Sequence, residues 1–255
     1  MTFPRTALVT GVSRRAGIGF AICRRLLADG ITVVGHGWAR HDVGQPWGGD
    51  AIDELVAELH ALGEFHHLEG DLARVDEPAD AVRRATELVG PLDVLVANHA
   101  HSAAGTLATI TAEELDACWI VNGRATVLLV QAFAAQHRSQ HPGRVVLFTS
   151  GQHLAPMGEE VPYAVSKGAI QQMTLTLSDA LIDGGITVNA INPGPVDTGW
   201  ATPELTARVG RSLPRGRWTK PAEVADALAW LVSDDAGLIT GQTINTEAGF
   251  RRWVR

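Results

Sequence analysis

The chain has 255 residues, of which 45% are hydrophobic, 19% charged and 5% aromatic, and its formal net charge is −7. That apolar share offsets chain entropy and excludes a disordered protein, and the length suits one large α/β domain over residues 1–255. The acidic balance argues against nucleic-acid binding, which needs a basic face.

Strand-like runs are expected, in chain order, at Thr6–Thr10, Ile31–His36, Phe65–Gly70, Leu92–Ala97, Arg144–Ser150, Thr187–Ile191 and Thr243–Thr246. Helical periods lie between them. One is Asp50–Leu62, with Ile52, Leu55, Val56 and Leu59 on one face and Asp50 as its N-cap. A long one runs from Glu113 to His137, and another starts at Pro221 with Val224, Leu228 and Leu231 in phase. Alternation of this kind predicts a doubly wound parallel sheet with helices on both faces, whose ligands sit at the carboxyl ends of the strands. No run of eighteen apolar residues occurs, so no membrane span is expected. The early first strand leaves no room for a signal peptide, and Cys23 and Cys118 read as buried small residues rather than a metal site or disulfide framework. A cytoplasmic protein without a bound metal is expected.

The first strand runs into Thr10-Gly11-Val12-Ser13-Arg14-Arg15-Ala16-Gly17-Ile18-Gly19 and then a helix. Glycines permit a tight turn and close backbone approach, and a helix N-terminus favours a pyrophosphate. The second strand ends Gly35-His36-Gly37-Trp38-Ala39-Arg40, with no acid before Asp42 to meet a ribose hydroxyl. Arg14, Arg15 and Arg40 are instead suited to a 2′-phosphate. NADP(H) is therefore the preferred cofactor, with NAD(H) as the alternative.

The chain has one tyrosine, Tyr163, and two lysines, one of which, Lys167, follows it by four residues. On a helix the two share a face, and an ammonium beside a phenol lowers the phenol pKa toward neutrality. That pairing suits a general acid/base.

With these motifs in hand, the sequence resembles the short-chain dehydrogenase/reductase family from its first strand to Gly249. The family's glycine turn matches Thr10–Gly19, with two extra residues before Gly17. The adenine-holding aspartate matches Asp71, followed by Leu72. The Asn-Asn-Ala-Gly strand end becomes Ala97-Asn98-His99-Ala100. The catalytic asparagine and serine match Asn122 and Ser150, and the turn after the sixth strand matches Asn192-Pro193-Gly194-Pro195-Val196-Asp197-Thr198. The resemblance implies a Rossmann-type fold. It also implies a cofactor site of Gly11, Ser13, Arg14, Arg15, Gly17, Ile18, Gly19, Arg40, Asp71, Leu72, Asn98, Tyr163, Lys167, Pro193, Gly194, Val196 and Thr198. By the family mechanism, hydride passes from nicotinamide to a carbonyl and Tyr163 gives the proton. Lys167 tunes Tyr163 and binds the ribose, Ser150 orients the carbonyl, and Asn122 holds a relay water. The related enoyl reductases share the lengthened turn but space their tyrosine and lysine more widely, so carbonyl reduction is favoured.

His99, His101 and His153 fall near the substrate end of the sheet, either as polar pocket lining or as structural or surface histidines. Leu154, Met157 and Trp200 are further candidate lining residues, Trp200 in a segment that covers substrate in this family. The expected activity is an NADPH-dependent ketoreductase acting on a small carbonyl or alcohol. The first alternative is a 3-oxoacyl-[acyl-carrier-protein] reductase. No Lys or Arg occurs from Gly168 to Glu204 to dock an acidic carrier, although Arg124, Arg138 and Arg144 offer a patch elsewhere. An alternative of another class is a non-catalytic dinucleotide-binding regulator. Family resemblance and the apolar stretches Thr126–Ala135 and Ile170–Leu181 imply a homo-oligomer, dimer or tetramer.

Overall fold

The computed structural model describes residues 5–138 and 142–253. All seven strand-like runs form strands: β1 (Thr6–Thr10), β2 (Thr32–Gly37), β3 (Phe65–Glu69), β4 (Val94–Ala97), β5 (Gly143–Phe148), β6 (Ile186–Asn192) and β7 (Thr243–Asn245). They pair in parallel as one sheet in the order β3-β2-β1-β4-β5-β6-β7. Helices α1 (Ile18–Ala28), α2 (Ala39–Val43), α3 (Ile52–His60), α4 (Glu77–Val89), α5 (Ala112–Cys118), α6 (Ala125–Gln136), α7 (Val161–Leu181), α8 (Pro203–Arg211) and α9 (Pro221–Val232) connect them. This is the Rossmann-type arrangement.

The strands are apolar on both faces because helices cover both. On one side Ala7, Val9, Val33, Phe65, Val96 and Phe148 pack against Ile22 and Leu26 of α1 and Val224 and Leu228 of α9. On the other, Leu8, Val34, Leu95, Leu147 and Val188 pack against Val82 of α4, Leu129 and Phe133 of α6 and Ile170 of α7. After β3 the chain crosses back to lay β4 beside β1, so the strand order reverses between β1 and β4. A crevice opens there at the carboxyl ends of the strands.

Two local expectations change. Asp50 does not cap α3, whose N-cap is Ala51; the Asp50 carboxylate accepts from the Arg15 backbone N–H instead, at 2.6 Å. The stretch expected as one α-helix from Glu113 to His137 starts with a Thr111–Glu114 capping box and is interrupted by a π-helical segment, Trp119–Arg124, between α5 and α6. The whole run Ala112–Gln136 is long and apolar enough to cross a membrane by length and composition alone. Here its inward residues Ala125, Leu129, Val130 and Phe133 are core.

Candidate active site and cofactor cleft

A cleft of about 730 Å³ lies at the strand-order reversal. That volume is in the range of small-molecule sites. Gly11, Ser13, Arg14, Gly17 and Ile18 line it from the glycine turn, and His36, Gly37, Trp38, His41 and Asp42 from the end of β2 and from α2. Asp71, Leu72, Asn98, His99, His101, Val121 and Thr198 complete the wall. Gly11 has φ +76°, and a Cβ there would stand 2.8 Å from Asn98 Nδ2; a Cβ on Gly37 would stand 2.6 Å from the Val12 carbonyl. Gly19 is packed against the Gly11 carbonyl. Asn98 locks the turn, its Nδ2 donating to the Thr10 and Gly11 carbonyls at 3.1 and 3.4 Å.

The cleft fits a dinucleotide on its own chemistry. His36 is 1% exposed, its Nε2 lies 3.1 Å from Glu77 Oε1, and its Nδ1 has no partner. A buried polar atom in a cleft wall is a demand for a ligand group. The turn supplies backbone at close range, with Gly17 as the N-cap of α1.

The three arginines expected at the 2′-phosphate separate. Arg14 stays at the cleft: its Nη2 donates to the Thr198 carbonyl at 2.9 Å and its guanidinium lies 5.6 Å from the Trp47 ring centre. Arg15 turns away to Glu58, Glu54 and Asp50 at 2.6, 3.2 and 3.8 Å, which together raise its pKa. Arg40 is exposed on α2 and outside the cleft wall. Asp42 is buried with both oxygens engaged, one by the Ser13 hydroxyl and the other by Trp47 Nε1 at 3.3 Å. Asp71 accepts from the Ala73 N–H at 2.9 Å. In the turn after β6, Gly194 donates its N–H to Asn192 Oδ1 at 3.1 Å, Val196 bridges to Thr219, and Pro193 is half-buried; unlike Thr198, none of the three lines the cleft, nor do Tyr163 and Lys167.

Asn122 is fully buried in the π segment. Such a segment adds a residue to the turn and re-aims side chains. Asn122 Nδ2 donates to Ser166 Oγ at 2.8 Å, and Ser166 donates to the Tyr163 carbonyl at 2.8 Å. Tyr163 and Lys167 share one face of α7, with Nζ 5.5 Å from the ring centre. Lys167 Nζ donates to the Phe148 carbonyl at 2.8 Å, two residues before Ser150. Ser150 stands close enough to the Tyr163 phenol to favour its ionised form. The four residues of the family mechanism are thus brought together.

Their electrostatics differ from the expectation. Burial, reinforced by the Glu160 carboxylate, holds the Tyr163 phenol above its ordinary pKa, and only the nearby Ser150 pulls it down. Burial also lowers Lys167 to about 8. The predicted fall of the phenol toward neutrality is not found, because desolvation outweighs an ammonium that is itself desolvated and spent on Phe148.

Of the six substrate-lining candidates, His99 and His101 line the cleft. His99 is a structural bridge: its Nδ1 lies 2.7 Å from the Thr10 hydroxyl and its Nε2 3.0 Å from the Val121 carbonyl. Burial first, then the charges of Lys167 and His36, lower it to about 3. His153 is exposed, Leu154 is 45% and Trp200 47% exposed, and Met157 is half-buried; none lies in the cleft wall. Trp200 packs edge-on against Trp218, whose Nε1 donates to the Thr206 carbonyl of α8 at 3.0 Å. Among the described residues no three His, Cys, Asp or Glu side chains converge as metal ligands. Sequence reasoning missed His36, His41 and Asp42. The signal for His36 was a lone ionisable residue in an otherwise apolar strand.

A family model described as enoyl-(acyl carrier protein) reductase matches residues 11–251. An uncharacterised oxidoreductase of Bacillus subtilis, YjdA, is 37% identical over 97% of both chains. A 3-oxoacyl-[acyl-carrier-protein] reductase of Synechocystis is 31% identical over 96% of both. The crystal structure of a Burkholderia cenocepacia short chain dehydrogenase in complex with NADP superimposes with a TM-score of 0.85 at 31% identity, covering 96% of this chain and 97% of that one. Glycine-turn cleft, Tyr-Lys pair and these likenesses agree: the chain belongs to the short-chain dehydrogenase/reductase family of oxidoreductases, which interconvert CH–OH and C=O groups with a nicotinamide cofactor.

Proposed function

We propose that the protein is an NADPH-dependent ketoreductase working as one cofactor-binding and catalytic unit. The observation that carries this reading is the convergence of Ser150, Tyr163 and Lys167, with Asn122 bonded to Ser166 behind them. The i, i+4 spacing favours carbonyl over enoyl reduction. When bound, the nicotinamide supplies the hydride. Tyr163 donates its phenolic proton to the oxygen of the reduced carbonyl. A phenol held protonated by burial is the form this step requires. Ser150 hydrogen-bonds the same oxygen and stabilises charge as it develops there. Lys167 holds the cofactor ribose, and Asn122 keeps the proton route behind Lys167 in place.

Arg14 is the 2′-phosphate ligand in this reading. Preference for NADPH over NADH is supported by Arg14 at the cleft and by the engagement of both Asp42 oxygens within the fold, which makes that acid a poorer acceptor for a ribose hydroxyl. A homotetramer is supported by exposed Trp119 and by Val165 and Leu175 on α7, both 60% exposed. The two cysteines are free thiols, in keeping with a reducing, cytoplasmic setting.

The test is NADPH oxidation across a panel of ketones, diketones and 3-oxoacyl thioesters, the last offered both as small thioesters and on acyl carrier protein. Turnover of free ketones supports the proposal. Turnover confined to the carrier-bound thioester would replace it with the carrier-protein reductase, the reading favoured by the Synechocystis relative. Tight NADPH binding with silence across the panel would replace it with a non-catalytic regulator. Light scattering at the mass of one subunit would remove the tetramer.

A further inference from the structure

We infer that the ion pair Glu247–Arg252 is a positioning device that sets the spacing of the two loops flanking the reaction centre. The inference rests on the roles proposed above for Ser150 and Tyr163. After β7 the chain turns sharply at Ala248, φ +53°, the only non-glycine residue in the left-handed region among the described residues. The turn brings Arg252 back onto Glu247 in a two-pronged pair, Nη1 to Oε2 at 2.5 Å and Nη2 to Oε1. Their side chains are 19% and 8% exposed. A planar guanidinium met by both carboxylate oxygens is a rigid contact.

The pair touches both loops. A Cβ on Gly151, the residue after Ser150, would collide with the Arg252 guanidinium and stand 3.2 Å from Glu247 Oε1. A Cβ on Gly194 would stand 2.9 Å from Glu247 Cβ and Cγ. Glu247 also accepts from Asn192 Nδ2 at 2.8 Å, and Asn192 Oδ1 takes the Gly194 N–H. The loop bearing Ser150 and the loop Pro193–Gly194 therefore rest on one buried carboxylate and its arginine. Arg252 is itself held over the Phe250 ring at 4.8 Å, and the Arg251 N–H donates to the Ser212 carbonyl just beyond α8 at 2.9 Å. A buried carboxylate needs such partners. Neither residue touches the reacting groups, so both act through Ser150 and Gly194.

The experiment uses Tyr163 as a reporter. It is the only tyrosine, so ring-labelled protein has one phenol carbon resonance in NMR, and its position follows the surroundings of the phenol, Ser150 among them. Arg252→Ala and Glu247→Gln are expected to move or broaden that resonance. Each should lower kcat about tenfold or more for a ketone found in the panel, because small misplacements are costly, while KM changes little. Arg252→Lys should recover part of both. The control Arg217→Ala, which breaks an exposed pair with Glu223, should change neither. Arg252→Ala strands a buried carboxylate, so the double variant Glu247→Gln/Arg252→Met, which removes both charges, carries the same test if the single one does not fold. An unmoved resonance in the folded double variant overturns the inference. A moved resonance in a protein that reduces no ketone supports it and counts against the ketoreductase reading alone.

Discussion

His101 and Asn122 hold each other by two hydrogen bonds: the His101 N–H donates to Asn122 Oδ1 at 2.7 Å, and Asn122 Nδ2 donates back to the His101 carbonyl at 2.9 Å. One side chain thus substitutes for a strand neighbour and fastens the loop after β4 to the π segment. The same Nδ2 reaches Ser166 on α7, so three parts of the site meet at one buried amide.

Asn122→Ala takes a partner from the half-buried His101 N–H and carbonyl and from the buried Ser166 hydroxyl. The expected loss is about 2–4 kcal/mol of stability, since orphaned buried polar groups carry their full desolvation cost. Denaturant unfolding measures it. A loss within about 0.5 kcal/mol, the range of an ordinary surface change, would show that the amide is not a structural tie.

Tyr163→Phe removes the proposed proton donor and leaves the ring packing. Turnover should fall by about 10²- to 10⁴-fold. NADPH affinity, read by quenching of tryptophan fluorescence, should stay within about threefold, because the cleft wall is built by other residues. Near-full turnover in this variant would remove Tyr163 from the chemistry.

Arg14→Ala and Arg15→Ala should behave differently although the residues are adjacent. Arg14 faces the cleft, so its loss should weaken NADPH binding about tenfold or more and leave NADH almost unchanged, a charge-assisted contact being worth roughly 1.5–3 kcal/mol. Arg15 is committed to α3 carboxylates, so its loss should leave the NADPH Kd alone. Calorimetric titration of both variants with both cofactors decides this.

His99 links acid stability to the site. The Val121 carbonyl accepts only, so Nε2 carries the proton and Nδ1 accepts from Thr10, leaving the ring neutral. Its folded pKa of about 3 lies below the ordinary 6.5. Between those values the unfolded chain binds a proton that the folded chain does not, so stability falls as pH drops from 6.5 toward 3. His99→Asn should flatten that dependence. Urea unfolding of both proteins across this range measures it, and parallel curves would refute the linkage.

Much of this was legible in the residues. β-branched and apolar runs such as Thr6–Thr10 and Thr187–Ile191 read as strands, and in the fold every position of the two is buried between helix layers. The glycine turn and the Tyr163–Lys167 spacing are local patterns with local physical causes. The π segment was not legible: nothing in Trp119–Arg124 marks it, and Asn122 finds its partners forty-four residues on, at Ser166, and in the loop after β4.

The sequence by itself determined the strand order in the chain, the turn that precedes α1, and which residue types stand at the strand ends. Only the tertiary structure decided how each charge is used. Arg15 is neutralised by α3 and Arg14 is not; His99 is a bridge and His153 an exposed ring; burial sets the Tyr163 phenol rather than its lysine neighbour; and Glu247 finds Arg252 against Gly151. The reason is physical. Periodicity acts over one helical turn or one strand pleat, whereas a pKa or an ion pair depends on desolvation and on partners brought together from distant parts of the chain.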